Sequence, residues 1–411
     1  MTRARDHGAI GDGATDDTAA VQRTMDDAAA GDGLAILDGG TFRCGTLHVP
    51  SGLTLEIRRN ATLVASTDEA DFDPIESLPY APWADQETHS FSYALLAALD
   101  ASNVSVVGGG TIADPRGHRY GPKPIALKRC DHITIRDITI VGAPNYAISL
   151  LGCDHVVIDG VTIREAFADG IDPDCCRFVR ISNCDIDAWD DAICIKTSLS
   201  LGERRPTEHV TVANCTIRSS CNNVKIGTET SGDVRDIAVT TCTMNGRAGG
   251  PPPDENSGIA IESVDGAHVE GVVVSNIVMH GVATPLFVRL GNRGRGLEPA
   301  SPGALRGVRI SHVLAFGAHQ TSSITGVASA SVSDVTLDDV TIETISDHGP
   351  IADPVPEADA EYPRATMFGR LPARGLYARH VDGLGLHHVR FAGGATDARP
   401  DVVLEDVSTQ D

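Results

Sequence analysis

Three segments of the chain carry residues suited to proton transfer at nearly the same place in a repeat. They read FADGIDPD (Phe167 to Asp174), AWDDAICIKT (Ala188 to Thr197) and SCNNVKIGT (Ser220 to Thr228), each about thirteen positions after a repeat start at His155, Phe178 and His209. Asp169, Asp190, Asp191, Asn222 and Asn223 therefore share one angular position on three successive turns of chain. If those turns stack as parallel strands, roughly 4.8 Å apart, three carboxylates and two carboxamides come within reach of one sugar. Like charges so placed raise at least one pKa, so one carboxyl stays protonated while its neighbour stays ionised. Hydrolysis of a glycosidic bond needs that pair: an acid for the leaving oxygen and a base for water. A single such Asp reads as an ordinary turn residue, whereas three in register favour chemistry.

The elements that position these acids follow from the repeat. Its copies read HITIRDITI from His132, HVVIDGVTI from His155, FVRISNCDI from Phe178, HVTVANCTI from His209 and DIAVTTCTM from Asp236, with starts 23, 23, 31 and 27 residues apart. Looser copies begin at Asn103, Gly271, Gly307, Asp334 and Gly383. Alternating Val, Ile and Thr broken by Gly, Asn or Asp predicts short strands and tight turns. No single unit buries its apolar face alone, so the units stack. The expectation is an all-β, right-handed, single-stranded parallel β-helix, since parallel connections are right-handed in about 98% of cases.

Asn183, Asn214 and Asn276 fall in one column, and Cys184, Cys215 and Cys242 in the next, as expected of structural ladders. Residues 1–31 form the expected N-terminal cap, with an amphipathic helix over Thr15 to Gly31 covering the open edge. The remainder, about 32–411, completes a single domain whose period is broken near 66–92, 245–257, 292–306 and 346–374. Such loops are candidate cleft walls, and Tyr80 and Trp83 could pack on the coil or stack on a sugar.

Composition narrows the partners. Against 56 Asp plus Glu there are 33 Lys plus Arg, a net charge of −23 that excludes a nucleic-acid partner. Neither a membrane span nor a signal-type apolar run is visible, so a cytoplasmic enzyme with reduced, buried cysteines is expected. His132, His155 and His209 begin repeats, Cys175 and Cys176 are adjacent, and no zinc-type spacing occurs, so neither metal nor cofactor is expected.

ADGIDPDCC, DAWDDAICIKT and the following IGTE, in that order and spacing, resemble family 28 glycoside hydrolases, the polygalacturonase and rhamnogalacturonan hydrolase family. The likeness begins at GAIGDGATDDT and runs through most of the coil. It implies an inverting, metal-free hydrolase acting on pectin-like chains, with Asp190 as general acid and Asp169 and Asp191 holding and deprotonating water. The chain is a divergent member. The family's Asn-Thr-Asp motif matches Phe167-Ala168-Asp169, and its Gly-His-Gly matches Cys221-Asn222-Asn223, without the histidine. The Arg-Ile-Lys strand that clamps a galacturonate carboxylate matches Ala260-Ile261-Glu262.

Glu262, Asn222 and Asn223 suit a neutral, hydroxyl-rich sugar, because confined carboxylates without a cation repel. Lys225 shares a strand face with Asn223 and either contacts substrate or pairs with Glu229. Lys196, Arg289 and Arg293 are further cations near the site; Arg289 binds substrate or tethers the 292–306 loop, and Glu229 meets a sugar hydroxyl or serves structure. The leading expectation is an inverting glycoside hydrolase that cuts an α-linked sugar from a pectin-like or related oligosaccharide, with exo-action on imported oligosaccharides favoured over attack on polymer. The alternatives are a β-helix lyase, with Lys225 as base, and a non-catalytic carbohydrate-binding coil.

Overall fold

The computed structural model describes residues 2–76, 78–79, 87, 91–247, 256–345, 349–394 and 396–410. The expected aromatic pair Tyr80 and Trp83 lies outside the described residues. The fold is a right-handed parallel β-helix, with the α-helix Thr18–Ala30 near its N-terminus. It comprises two compact units, Met1–Asp190 with Ser200–Gly202, and Asp191–Leu199 with Glu203–Asp411.

In the first unit, strands pair with their counterparts one coil away in three parallel ladders. One runs through Thr111–Ala113, Thr139–Val141, Thr162–Ala166 and Asp185–Ala188, and stacks Ile112, Ile140, Ile163 and Ile186 in a single inward column. All four are at most 1% exposed, and each such burial contributes about 1.5–3 kcal/mol. The helix buries Ala20, Val21, Thr24, Met25 and Ala28 against the strands Leu34–Leu37 and Leu47–His48, which covers the first edge. Its first turn is held by Asp16, whose Oδ1 accepts from Thr18 N at 3.0 Å.

The physical cause of the repeat lies in the backbone. Every repeat start, from Asn103 through His132, His155 and Phe178 to Gly383, has positive φ. So does every sixth residue, including Asp137, Gly160, Asn183, Asn214, Thr241, Asn276, His312, Asp339 and His388. Two left-handed corners five residues apart bend each coil, which explains the run of Gly, Asn and Asp at these positions. Within each unit the Asn column reaches side-chain oxygens of the preceding coil: Asn183 Nδ2 donates to Asp159 Oδ1 at 2.6 Å, and Asn276 Nδ2 to Thr240 Oγ1 at 3.4 Å. Among the starts, the rings of His132, His155 and Phe178 stack at 4.7 and 4.9 Å.

In the second unit one ladder joins Ile193–Thr197, Asn222–Thr230, Ser257–Ser263, Thr284–Leu290, Ser322–Thr325 and Leu376–His387. The described part of the last long loop, 349–374, packs Ala365, Phe368 and Leu371 onto Ala260, Phe287 and Tyr377 of that ladder. Arg289 tethers the same loop, donating to the carbonyls of Glu357 and Ala358 at 2.8 and 3.1 Å. The tether therefore reaches 349–374 rather than the 292–306 loop anticipated from sequence. Among the described residues no cysteine forms a disulfide, and nine of the ten cysteines are buried. Among the described residues, no helix is long and apolar enough to cross a membrane.

Candidate active site

Asp169 and Asp190 belong to the first unit, where both act on one cation. Asp169 leads into Ile171–Asp174 and is 3% exposed, its carbonyl accepting from Ala147 N one coil away. Asp190 follows Asp185–Ala188, and its Oδ2 accepts from Arg119 Nη1 at 2.5 Å. Arg119 also forms a bidentate pair with Glu87, at 2.9 and 2.7 Å. Burial opposes the Arg119 charge, but the Glu87 hydrogen bond and the charges of Asp190, Glu87 and Asp169 outweigh it and raise its pKa. Sequence reasoning missed Arg119 and Glu87. Arg119 lies between Thr111–Ala113 and Lys123–Lys128 and Glu87 between Glu69–Asp71 and Ala94–Leu99, in loops that carry no period.

Asp191 opens the second unit and is 4% exposed. Its Oδ1 accepts from Asn222 N at 3.0 Å and from Asn222 Nδ2 at 2.5 Å, and its Oδ2 accepts from Lys225 Nζ at 3.0 Å. Burial would raise the Asp191 pKa, but the Lys225 charge and the Asn222 hydrogen bond lower it overall. Lys225 responds in the opposite sense: burial lowers its pKa, and Asp191, Tyr362 and Glu262 raise it well above the usual lysine value. Its partner is thus Asp191, not the Glu229 weighed from sequence. Asn222 is fixed from behind, its Oδ1 accepting from Ser257 Oγ. Asn223 is fully buried, donating to the Asn245 carbonyl at 3.2 Å.

Glu262 lies beside this pair. It is 1% exposed, and its Oε2 has no hydrogen-bond partner among the described residues. Burial, more than any neighbouring charge, pushes its pKa up to about 8, so the carboxyl is predominantly protonated at neutral pH. The adjoining Gly227, at φ +118°, leaves it room: a Cβ there would lie 2.8 Å from Glu262 Oε2. Over the cluster stands Tyr362, which sequence reasoning also missed. Its ring lies 5.7 Å from Lys225 Nζ and 5.8 Å from Arg293 Cζ, and its Oη accepts from Thr228 Oγ1 at 3.0 Å. The residue remains 54% exposed, although Arg289 and Asn292 pin its loop.

Two further cations of this unit meet carboxylates. Arg293 forms a bidentate pair with Asp265, at 2.9 and 2.5 Å, and Arg295 donates to Glu229 at 3.1 Å. Arg289 is fully buried and turned to backbone carbonyls, and burial draws its pKa down to about 10. Lys196 is buried, at 3% exposure. In the first unit Asp131, His132 and His155 bring three possible metal-ligand atoms within 4.8 Å, but both ring Nδ1 atoms already pair with the Asp131 carboxylate, at 2.7 and 2.8 Å.

Comparison with known proteins shows what the chain as a whole is similar to. A "Probable polygalacturonase" of Vitis vinifera is 24% identical over 369 residues, covering 82% of this chain and 73% of the relative. An "Endo-polygalacturonase" of Pectobacterium parmentieri is 24% identical over 301 residues, covering 66% and 71%. The crystal structure of a hyperthermoactive exopolygalacturonase from Thermotoga maritima shares the fold, with a TM-score of 0.74 at 19% identity over 95% of this chain and 91% of that one. The family model for glycosyl hydrolases family 28 matches residues 103–351, more than half of the chain. The chain is therefore a glycosidase that belongs to glycosyl hydrolases family 28.

Proposed function

We propose that this enzyme hydrolyses an α-linked neutral sugar in a pectin-like oligosaccharide, with inversion, and that it is not a standard polygalacturonase. The observation that carries the neutral-sugar reading is the charge pattern of the second unit. Lys225 faces Asp191, Arg293 faces Asp265, Arg295 faces Glu229, and Glu262 stands where the family's carboxylate clamp has a cation. A uronate carboxylate beside that cluster would meet acids whose cations are already engaged, which is unfavourable in a confined site. A hydroxyl meets none of that cost, and a protonated Glu262 offers it a donor.

In the mechanism, Asp190 protonates the leaving oxygen and Asp191, held ionised by Lys225, activates water together with Asp169. Arg119 grips the Asp190 carboxylate at 2.5 Å, so substrate entry has to move that guanidinium before a proton is transferred. The lyase reading requires an unprotonated Lys225, whereas its pKa is raised by Asp191.

The test is product release from a panel of pectin-derived oligosaccharides, for the natural chain and Asp190→Asn, with the anomeric form of fresh product followed by NMR. Inverted product that disappears in the variant, with neutral-sugar termini preferred, is the expected result. Retained configuration, an unsaturated product, or turnover confined to oligogalacturonate would each overturn the reading.

A further inference from the structure

An irregular connection ordinarily leaves most of its carbonyls to water. In the second unit the stretch 355–359 departs from that, because five successive carbonyls accept from the coil beneath. Val355 and Pro356 accept from Arg379 Nη1 and Nη2 at 2.9 and 2.6 Å. Glu357 and Ala358 accept from Arg289 Nη2 at 2.8 and 3.1 Å, and Asp359 from Asn292 N at 2.6 Å. The stretch is thus a strap held flat on the coil. Tyr362, whose ring stands over Lys225 and Arg293, follows it directly.

The two arginines come from one column of the ladder, since Arg289 pairs with Thr325 and Thr325 with Arg379. Both are buried, at 0% and 5% exposure, and the Phe368 ring lies 5.3 Å from Arg289 Cζ and 5.9 Å from Arg379 Cζ. Burying a cation is unfavourable unless its donors are met, and here the strap meets them. The two arginines differ in where they are bound. Arg289 also donates to the Gly326 carbonyl at 2.8 Å, so its loss would disturb the coil itself. Among the described residues, every hydrogen bond and ion pair of the Arg379 side chain ends on the strap, at the carbonyls of Val355 and Pro356 and at Glu357 Oε1, 3.3 Å away.

We propose that Arg379 is a positioning residue for Tyr362: its guanidinium fixes the strap on the coil, and the strap sets the Tyr362 ring over Lys225, where the sugar is received. The assignment rests on the reading above, in which this cluster binds the sugar. Arg379 acts on substrate only through that ring. A guanidinium suits the task because its planar fork reaches two successive carbonyls at once, which a lysine ammonium does without fixed geometry.

The experiment has two arms on the full chain, for the natural sequence, Arg379→Gln, Tyr362→Ala and the double variant, with Arg379→Lys taking the place of Arg379→Gln where the latter does not fold. The first arm is trypsin digestion followed by mass spectrometry. Arg364 is exposed but Ala365 after it is buried, so cleavage between them requires the segment to lift. Arg379→Gln should speed that cleavage at least about tenfold, as loss of charge-assisted hydrogen bonds does. The second arm is kinetics on the oligosaccharide that the natural chain turns over. Arg379→Gln should raise KM by up to about tenfold with kcat changed far less, and should add nothing to KM once Tyr362 is already Ala. Cleavage after Arg364 as slow as in the natural chain, or KM effects that multiply in the double variant, would overturn the assignment. Faster cleavage in the variant, with no oligosaccharide turned over by the natural chain, would support the strap and count against the hydrolase reading alone.

Discussion

Lys225 Nζ and Asp191 Oδ2 lie 3.0 Å apart in a pair whose side chains are only 5% and 6% exposed. Asp191 precedes the strand Ile193–Thr197, whose neighbour in the ladder carries Lys225, and Asn222 holds the other carboxylate oxygen through its backbone and side-chain nitrogens. Such a pair is costly to break from one side, since the remaining charge stays buried. Lys225→Met is expected to destabilise the protein by about 3–5 kcal/mol and to abolish activity. Asp191→Asn combined with Lys225→Met should regain most of that stability without regaining turnover. Urea unfolding of the two variants decides it, and Lys225→Met within about 1 kcal/mol of the parent would show that the pair is not the anchor argued here.

Asp190 differs from its sequence neighbour in that its side chain is 25% exposed and its ion-pair partner Arg119 is 33% exposed. An ion pair of this exposure contributes about 1 kcal/mol or less. Asp190→Asn should therefore leave the unfolding midpoint nearly unchanged while lowering kcat by about 10²–10⁴-fold, the range expected for loss of a general acid. A variant that loses stability and activity in proportion would assign Asp190 to structure.

How much of this was legible in the sequence follows from what is periodic. The coil could be read because its corners need left-handed residues at the first and sixth positions, which keeps Gly, Asn and Asp in step from Asn103 to Gly383. Asp169, Asp190 and Asp191 could be read because they keep that same period. Arg119, Glu87 and Tyr362 could not, for each lies in an irregular connection whose course depends on tertiary packing. Lys225 was found by strand alternation, but its partner was misassigned. Glu229 is nearer in sequence, whereas Asp191 is nearer in space because Cys194 and Lys225 are paired positions on adjacent strands.

Tyr362 is a half-exposed residue whose ring lies over two cations, Lys225 and Arg293, on a loop pinned by Arg289. An aromatic face so held suits stacking on the apolar face of a sugar, an interaction of about 0.5–1.5 kcal/mol. Tyr362→Ala should raise KM by up to about tenfold with kcat changed far less, and Tyr362→Phe should restore most of the affinity. A fall confined to kcat would place the tyrosine in the chemical step instead.

Glu262 gives the protein a pH dependence whose sign is fixed by burial. Its pKa is raised to about 8 in the folded chain, whereas an unfolded glutamate titrates near 4.3. Between those values the folded state holds a proton that the unfolded state has released, so stability falls as pH rises through this window. The full contribution is present below the unfolded value and is lost above about pH 8. Glu262→Gln keeps the shape and the donor but removes the titration, so its unfolding free energy should lack this decline, with a difference from the parent on the order of a few kcal/mol at pH 8 and little at pH 4. The same substitution separates this effect from catalysis: a protonated Glu262 acts only as a donor to substrate, so Gln should retain kcat at pH 6 and extend activity toward higher pH. Parallel stability curves for the two proteins from pH 4 to 8 would mean that Glu262 is ionised in the fold, and the neutral character assigned to this part of the site would fail with it.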